Sequence, residues 1–266
     1  MQYSIIIPTF NSSKALPKAL HSVLAQTCQD YEVIIADGKS QDATLEILKN
    51  FEKQFGGRLR WMSEPDTGIY DAMNKGIGLA QGDWLYFLGS DDSFFSKTIL
   101  DDIRREMENS DVDVMYGTVL WGETESTYGG KFSTFKLLNQ NICHQAIFFR
   151  KELFQKYGLF ETKYRTLADY VFNMRWFNDP EVRRKFVDLV IARYNPNGLS
   201  FKIPDSEFLK NRDQLIMDIF PSEYTIINQL MKELQNKNDR LLRAERPIYW
   251  NLRNLYRRTK RLLRQD

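Results

Sequence analysis

"YFLGSDDSFF", residues 86–95, decides how this chain is read. An apolar run from Trp84 to Leu88 stops at Gly89-Ser90. Two adjacent carboxylates, Asp91 and Asp92, follow before aromatics resume at Phe94 and Phe95. The run has the length and content of a buried strand. Like charges at its mouth repel each other, and burying them unpartnered is costly. A loop that needed only polarity has Ser and Asn at its disposal. Taken alone, the pair also reads as a helix cap or an Asx turn. As a functional feature it asks for a cation, and oxygen ligands of this kind suit Mg²⁺ or Mn²⁺ with phosphate oxygens completing the shell.

Outward from that strand, the first half alternates strand and helix. Tyr3–Pro8, Tyr31–Ala36, Arg58–Met62, Asp83–Leu88 and Val112–Tyr116 read as strands. Helices are expected from a cap at Ser12 or Ser13 to about Ala25, over Thr44–Phe55 behind an Asp42 cap, over Tyr70–Ala80, and from Ser96 to about Asn109. Such β-α-β alternation predicts an α/β fold with a mainly parallel sheet and helices on both faces. Beyond residue 117 the pattern loosens. The Gly-rich stretch Thr118–Lys131 is a hairpin or a mobile loop. A strand is expected at Ala146–Arg150, helices near Glu152–Tyr157 and Asp169–Phe177, and a strand at Phe186–Tyr194. From Asp205 the chain reads as helical, divided by Pro221 and Pro247. The expected organisation is one domain over 1–204, with halves 1–95 and 96–204, and a helical C-terminal extension over 205–266.

Apolar residues make up 42% and charged residues 27%, which fits a soluble globular protein rather than a membrane-spanning or disordered one. Cys28 and Cys143 have no metal-type spacing, and with two His in the chain no zinc site is expected. Both thiols are read as reduced, in a cytoplasmic setting. The opening MQYSIIIPTF runs directly into a strand and is not read as a signal peptide. No stretch approaches the length of a transmembrane helix.

Ligands of parallel sheets bind at the carboxyl ends of the strands. Those ends carry Pro8-Thr9-Phe10-Asn11, Asp37-Gly38 and Gly89-Ser90-Asp91-Asp92. Asp37 suits a turn, and equally a nucleotide contact at the sheet edge.

With these residues in place, a resemblance is plain. "SIIIPTFN", "SVLAQTCQDYEVIIADGKSQDAT" and "NKGIGLAQGDWLYFLGSDD", in that order, resemble the GT-A nucleotide-sugar domain of family 2 glycosyltransferases. The likeness continues more weakly through "NICHQAIFFRKELFQKYGLF" and "LADYVFNMRW". It implies that Pro8, Thr9, Phe10 and Asn11 line a nucleoside pocket and that Asp37 contacts the base. Asn74 and Lys75 would approach the nucleotide, Asp91 the ribose, and Asp92 a Mg²⁺ or Mn²⁺ ion. Asp169, in the position of the family's helix-opening acid pair, would be the catalytic base of an inverting transfer. Asp66, Tyr70 and His144 would border the acceptor or the diphosphate. Two departures stand out: Gly89 occupies a position where many members carry Asp or Asn, and Ala168 replaces the first acid of the pair.

From Arg240 to Asp266 there are nine Lys and Arg against two acids, so an overall charge of +2 hides a basic end on an acidic body. Ile248, Leu252, Leu255, Leu262 and Leu263 share one helical face, with Trp250 near its start. This is the pattern of an interfacial membrane helix. The expected activity is an inverting, metal-dependent transfer from a nucleoside-diphosphate sugar, UDP rather than GDP or dTDP, to a saccharide acceptor carried on a lipid. The expected location is the cytoplasmic face of the inner membrane, bound peripherally through that helix to anionic lipid, with no nucleic-acid partner. A sugar-phosphate nucleotidyltransferase would need a Gly-rich basic loop after the first strand, and "PTFNSSKAL" is not one. A non-catalytic saccharide-binding subunit would have no use for Asp91, Asp92 and Asp169 together.

Overall fold

The computed structural model describes residues 2–108, 110–122, 126–196, 198, 204–226, 229, 232 and 233. The helix expected from Pro247 lies outside them.

Four parallel strands, β1 (Tyr3–Thr9), β2 (Tyr31–Asp37), β3 (Leu59–Ser63) and β4 (Trp84–Phe87), form the first half of the sheet. Helices α1 (Leu16–Leu24), α2 (Thr44–Phe55) and α3 (Ile69–Leu79) connect them. Each strand alternates between two cores. Ile6 and Ile34 enter one, while Tyr3, Ile5, Ile7, Val33 and Ile35 enter the other. Both faces are therefore covered, which is why these strands read as continuous apolar runs. In α1, Leu16, Ala19, Leu20 and Val23 bury a single stripe against the second core.

Register fixes where the strand ends lie. Thr9 pairs with Asp37, and Asp37 with Ser63, so three strands finish level. Strand β4 runs beside β1, and the Leu88 N–H bonds to the Ile6 carbonyl, so Gly89–Asp92 emerge at the same edge.

The second half departs from the simple alternation. Strand β5 (Ser93–Phe94) and helix α4 (Ile99–Glu108) follow, then β6 (Val114–Trp121), β7 (Thr127–Gly129) and α5 (Thr134–Asn139). A 3₁₀ turn at His144–Ala146 leads into β8 (Ile147–Arg150), α6 (Glu152–Tyr157), α7 (Ala168–Asn178), β9 (Arg184–Tyr194) and α8 (Ser206–Ile219). Among the described residues the sheet order is β3-β2-β1-β4-β8-β6-β9-β5, with β7 paired to β6. Strand β8 is antiparallel to both β4 and β6, and β6 and β9 are parallel. By paired residues the sheet is mainly parallel, and the stretch from Thr118 forms a hairpin with Gly129.

Helix α7 is buried on nearly every side, from Ala168 to Phe177. It shares its core with Phe208, Ile216 and Phe220, so the first helix beyond residue 205 packs into the body. Asp205 secures this join. One carboxylate oxygen caps α8 at the Phe208 N–H, and the other takes the N–H groups of Thr166 and Leu167. Among the described residues no helix is long and apolar enough to cross a membrane.

Candidate active site

A cavity of about 760 Å³ opens at the level strand ends. It is lined by Pro8 to Ala15 at the end of β1 and beyond, by Gly89–Asp92 after β4, and by Tyr70, His144, Thr162, Arg165 and Thr166.

Phe10 stands 58% exposed in this cavity, an open aromatic face. Asn11 adopts a left-handed backbone (φ +48), a conformation Asn tolerates better than most residues. Its amide oxygen accepts from the Gln41 N–H at 2.8 Å, so its side chain braces the loop after β2. The loops after β1 and β4 are joined by a 2.9 Å hydrogen bond between the Ser12 and Ser90 hydroxyls.

Asp91 faces the cavity, held through one oxygen by the Asn195 amide at 3.0 Å. Asp92 behaves differently. It is 1% exposed, and its two oxygens accept from the Gln145 amide and the Asn195 N–H at 2.5 and 2.7 Å. Burial and the neighbouring Asp91 push its carboxyl up to about 6. Asp92, the residue expected to meet the metal, lines the cavity with Asp91, and protein donors reach both of its oxygens there. Gly89 also finds its reason here. A Cβ at that position would lie 2.3 Å from Asp92 Oδ2, so any side chain there would collide with this arrangement.

Three other expected contacts have different work. Asp37 is buried and accepts from the Ser40 N–H and from the Ser40 and Ser63 hydroxyls, which fixes the strand end without lining the cavity. The Asn74 amide brackets the Phe160 backbone through both its groups. Lys75 turns to Glu64 and the Pro65 carbonyl. Neither Asn74 nor Lys75 lines the cavity, although Lys75 also reaches Asp71, which does. The cations that line it, among the described residues, are Lys14 and Arg165. Asp66 does line it, its carboxyl pushed up by burial, and it lies so close to Gly38 that a Cβ there would come within 2.3 Å of its Oδ2.

On the facing wall, Asp169 sits in the first turn of α7, 5% exposed. The Tyr70 hydroxyl donates to its Oδ1 at 2.8 Å, and His144 Nδ1 to its Oδ2 at 3.1 Å. Tyr70 and His144 line the cavity, with Asp169 directly behind them. Burial and Asp169 hold the Tyr70 phenol well above its ordinary value.

Lys14, Gln145, Arg165, Asn195 and Asp205 were not legible as site residues. Gln145 stands next to His144 in "NICHQA", a neighbour that could have drawn notice to it. For Asn195 the only clue is the turn-rich YNPNG after β9.

Among the described residues no three His, Cys, Asp or Glu side chains gather as a metal cage. The donor set still fits Mg²⁺ or Mn²⁺, which bind through one or two carboxylates with phosphate oxygens rather than through protein alone. Burial and the adjacent Asp91 raise the Asp92 carboxyl, an environment that a bound cation would relieve.

Sheet order, level strand ends and the paired carboxylate at their edge fit one class: a GT-A glycosyltransferase. The family model described as Glycosyl transferase family 2 matches residues 4–180. A PGL/p-HBAD biosynthesis glycosyltransferase of Mycobacterium bovis is 44% identical over 211 residues, 78% of this chain and 82% of its own length. The fold is similar to that of S. aureus TarS, with TM-score 0.69 and 18% identity, over 82% of this chain and 39% of that longer chain. It is also similar to mannosyltransferase PcManGT from Pyrobaculum calidifontis, in complex with GDP-Man and Mn²⁺, with TM-score 0.60 and 15% identity, over 84% of this chain and 64% of that one. At such identities the structural likeness speaks for the fold alone. The chain belongs to glycosyl transferase family 2.

Proposed function

We propose that this glycosyltransferase is inverting and metal-dependent, and that it moves a sugar from a UDP-sugar to a saccharide acceptor carried on a lipid. One observation carries the reading: the Asp91–Asp92 pair and the Tyr70–His144 pair that holds Asp169 border one cavity, joined through Gln145, which follows His144 and donates to Asp92. A nucleotide-sugar seated on the carboxylate pair would bring its sugar beside the Asp169 cluster.

Phe10 offers its ring to the base, and Pro8, Thr9 and Asn11 shape the surrounding loop. Asp37 supports that loop from beneath, at the edge where it would meet the base. Lys14 and Arg165 supply positive charge for the diphosphate or for an anionic acceptor. Asp91, with Asp92 behind it, would hold Mg²⁺ or Mn²⁺. A bound ion would act as a Lewis acid on the leaving diphosphate. The Asp169 cluster receives the acceptor's proton, and Asp66 borders the sugar.

UDP-GlcNAc in a crystal structure of a TarS fragment supports a uridine donor, and the Mn²⁺ of the mannosyltransferase complex supports the metal. The M. bovis relative, named for PGL/p-HBAD biosynthesis, supports a biosynthetic acceptor rather than water. The basic, amphipathic sequence from Pro247 onward supports peripheral binding to anionic lipid at the cytoplasmic face of the inner membrane.

The full chain is to be incubated with UDP-, GDP- and dTDP-sugars and Mn²⁺ while released nucleoside diphosphate is measured. Release from a UDP-sugar that stops in excess EDTA is the expected result. Release undiminished by EDTA would remove the metal, and consumption of none of the donors would remove the reading.

A further inference from the structure

We propose that Asn195 is a positioning residue that holds Asp91 and Asp92 as one unit for a metal-bound nucleotide. This rests on the transferase reading above and adds to that site a residue from beyond the matched stretch, 4–180.

Asn195 reaches both carboxylates at once. Its backbone N–H donates to Asp92 Oδ1 at 2.7 Å, and its side-chain amide donates to Asp91 Oδ2 at 3.0 Å. Gln145 donates to the other oxygen of Asp92. Three of the four oxygens of the pair are thereby fixed, and holding Asp91 through one oxygen sets the direction of the second. Asp91, Asp92, Gln145 and Asn195 all line the cavity.

The fold brings Asn195 to this place through β5. Ser93 pairs with Arg193 and Phe94 with Ala192 in antiparallel register, so the count continued two residues back sets Asp91 opposite Asn195. The Phe95 N–H extends the pairing to the Ile191 carbonyl at 2.9 Å. The residue before Asn195 is anchored from the other side. The Tyr194 carbonyl accepts from the Gly122 N–H at 2.8 Å, and its ring lies 4.8 Å from that of Trp121. Beyond Asn195, the Gly198 N–H returns to the Asn195 carbonyl at 3.3 Å, and a Cβ on Gly198 would stand 3.5 Å from Asp91 Oδ2. The chain is braced on both sides of the residue that spans the pair.

The residue type suits the role. A Lys or Arg at this point would neutralise the carboxylates and compete with an incoming cation. An amide donates hydrogen bonds without carrying charge, so the pair keeps its charge for the ion. Groups of this kind orient the carboxylates that meet a metal, and losing one costs roughly 10–100-fold in metal affinity.

Calorimetric titration of UDP into the full chain, over a range of Mn²⁺ concentrations and in EDTA, tests the assignment. Wild type is compared with Asn195→Ala and Asn195→Leu, and thermal unfolding reports the fold. Both substitutions delete the amide and keep the backbone N–H. In Asn195→Ala the Mn²⁺ concentration giving half of its effect on UDP affinity should rise by on the order of 10–100-fold, while UDP affinity in EDTA stays within about twofold. Raising Mn²⁺ further should restore the wild-type affinity, which a merely structural defect would not allow. If Asn195→Ala does not fold, Asn195→Leu, closer to Asn in shape, carries the comparison. An unchanged Mn²⁺ requirement would show that the carboxylates hold their geometry without Asn195. Equal losses in Mn²⁺ and in EDTA, with no recovery at high Mn²⁺, would make Asn195 a nucleotide contact or a packing residue. Either result overturns the assignment and leaves the transferase standing. A wild type that binds UDP equally in Mn²⁺ and in EDTA overturns the metal dependence as well, and one that binds no UDP overturns the uridine donor with it.

Discussion

Glu32 and Asp92 are both carboxylates sealed inside the protein, 2% and 1% exposed, yet their surroundings treat them in opposite ways. Glu32, on β2, accepts from the Ser4 hydroxyl, the Gln81 N–H and the Arg60 guanidinium. Burial works to raise its carboxyl, but these donors outweigh it and the group titrates below its ordinary value. Asp92 accepts from two neutral donors, Gln145 and Asn195, and its nearest charged neighbour in sequence is another carboxylate. Burial and Asp91 raise it to about 6. The first site is a completed ion pair that ties β2 to the loop before β4. The second is a pair of adjacent carboxylates met by neutral donors, at the edge where three strands finish level. A protein leaves such a local rule broken where a ligand is to complete it.

Removing the cation of the completed site tests the comparison most heavily. Arg60→Ala should destabilise the fold by about 1–3 kcal/mol, less than a fully buried pair because Arg60 is 40% exposed on its side chain. Urea unfolding measures this, with UDP affinity unchanged. A change under about 0.5 kcal/mol, the level of an exposed pair, would mean that Glu32 is held by its hydrogen bonds alone.

The two sites should also respond to pH with opposite sign. Glu32 titrates low in the fold, so its contribution is present at neutral pH and is lost as pH falls. Asp92 titrates high. In metal-free buffer its contribution is intact below about pH 4 and is lost as pH rises through about 6, by on the order of 3 kcal/mol. Asp92→Asn should flatten that part of the stability curve. Identical slopes for wild type and variant would show that Asp92 is not the strained group.

The parallel half was legible because its rules are local. Runs such as "YEVIIA" and "DWLYFL" announce strands buried on both faces, and α2 begins at Thr44 as the sequence pattern predicts, although its cap position is Ala43 and the expected Asp42 cap lies one residue earlier, bonded to the Thr44 N–H. The α1 start was less so. Its cap position is Ala15 rather than a serine, and the first turn is tied to the Ser12 carbonyl through the backbone. Strand β5 was missed because it is two residues long and exists only through pairing with β9, nearly a hundred residues later. The site divides in the same way. Strand ends brought Pro8–Asn11, Asp91 and Asp92 to one edge as expected. How the two carboxylates are held depends on Gln145 and Asn195, which come from distant parts of the chain. Likewise Lys75 is taken by Glu64 across a turn, a contact with no sequence period, while Lys14 and Arg165 reach the cavity from loops.

The central claim is that the Asp91–Asp92 corner is built to be completed by a cation and a nucleoside diphosphate together. Calorimetric titration of UDP into the full chain, with Mn²⁺ and with EDTA, for wild type and Asp91→Asn, tests it most directly. Mn²⁺ should tighten UDP binding to the wild type by about tenfold or more, equivalent to about 1.4 kcal/mol, and should leave Asp91→Asn nearly unchanged. Equal UDP affinity of the wild type in Mn²⁺ and in EDTA would contradict the account.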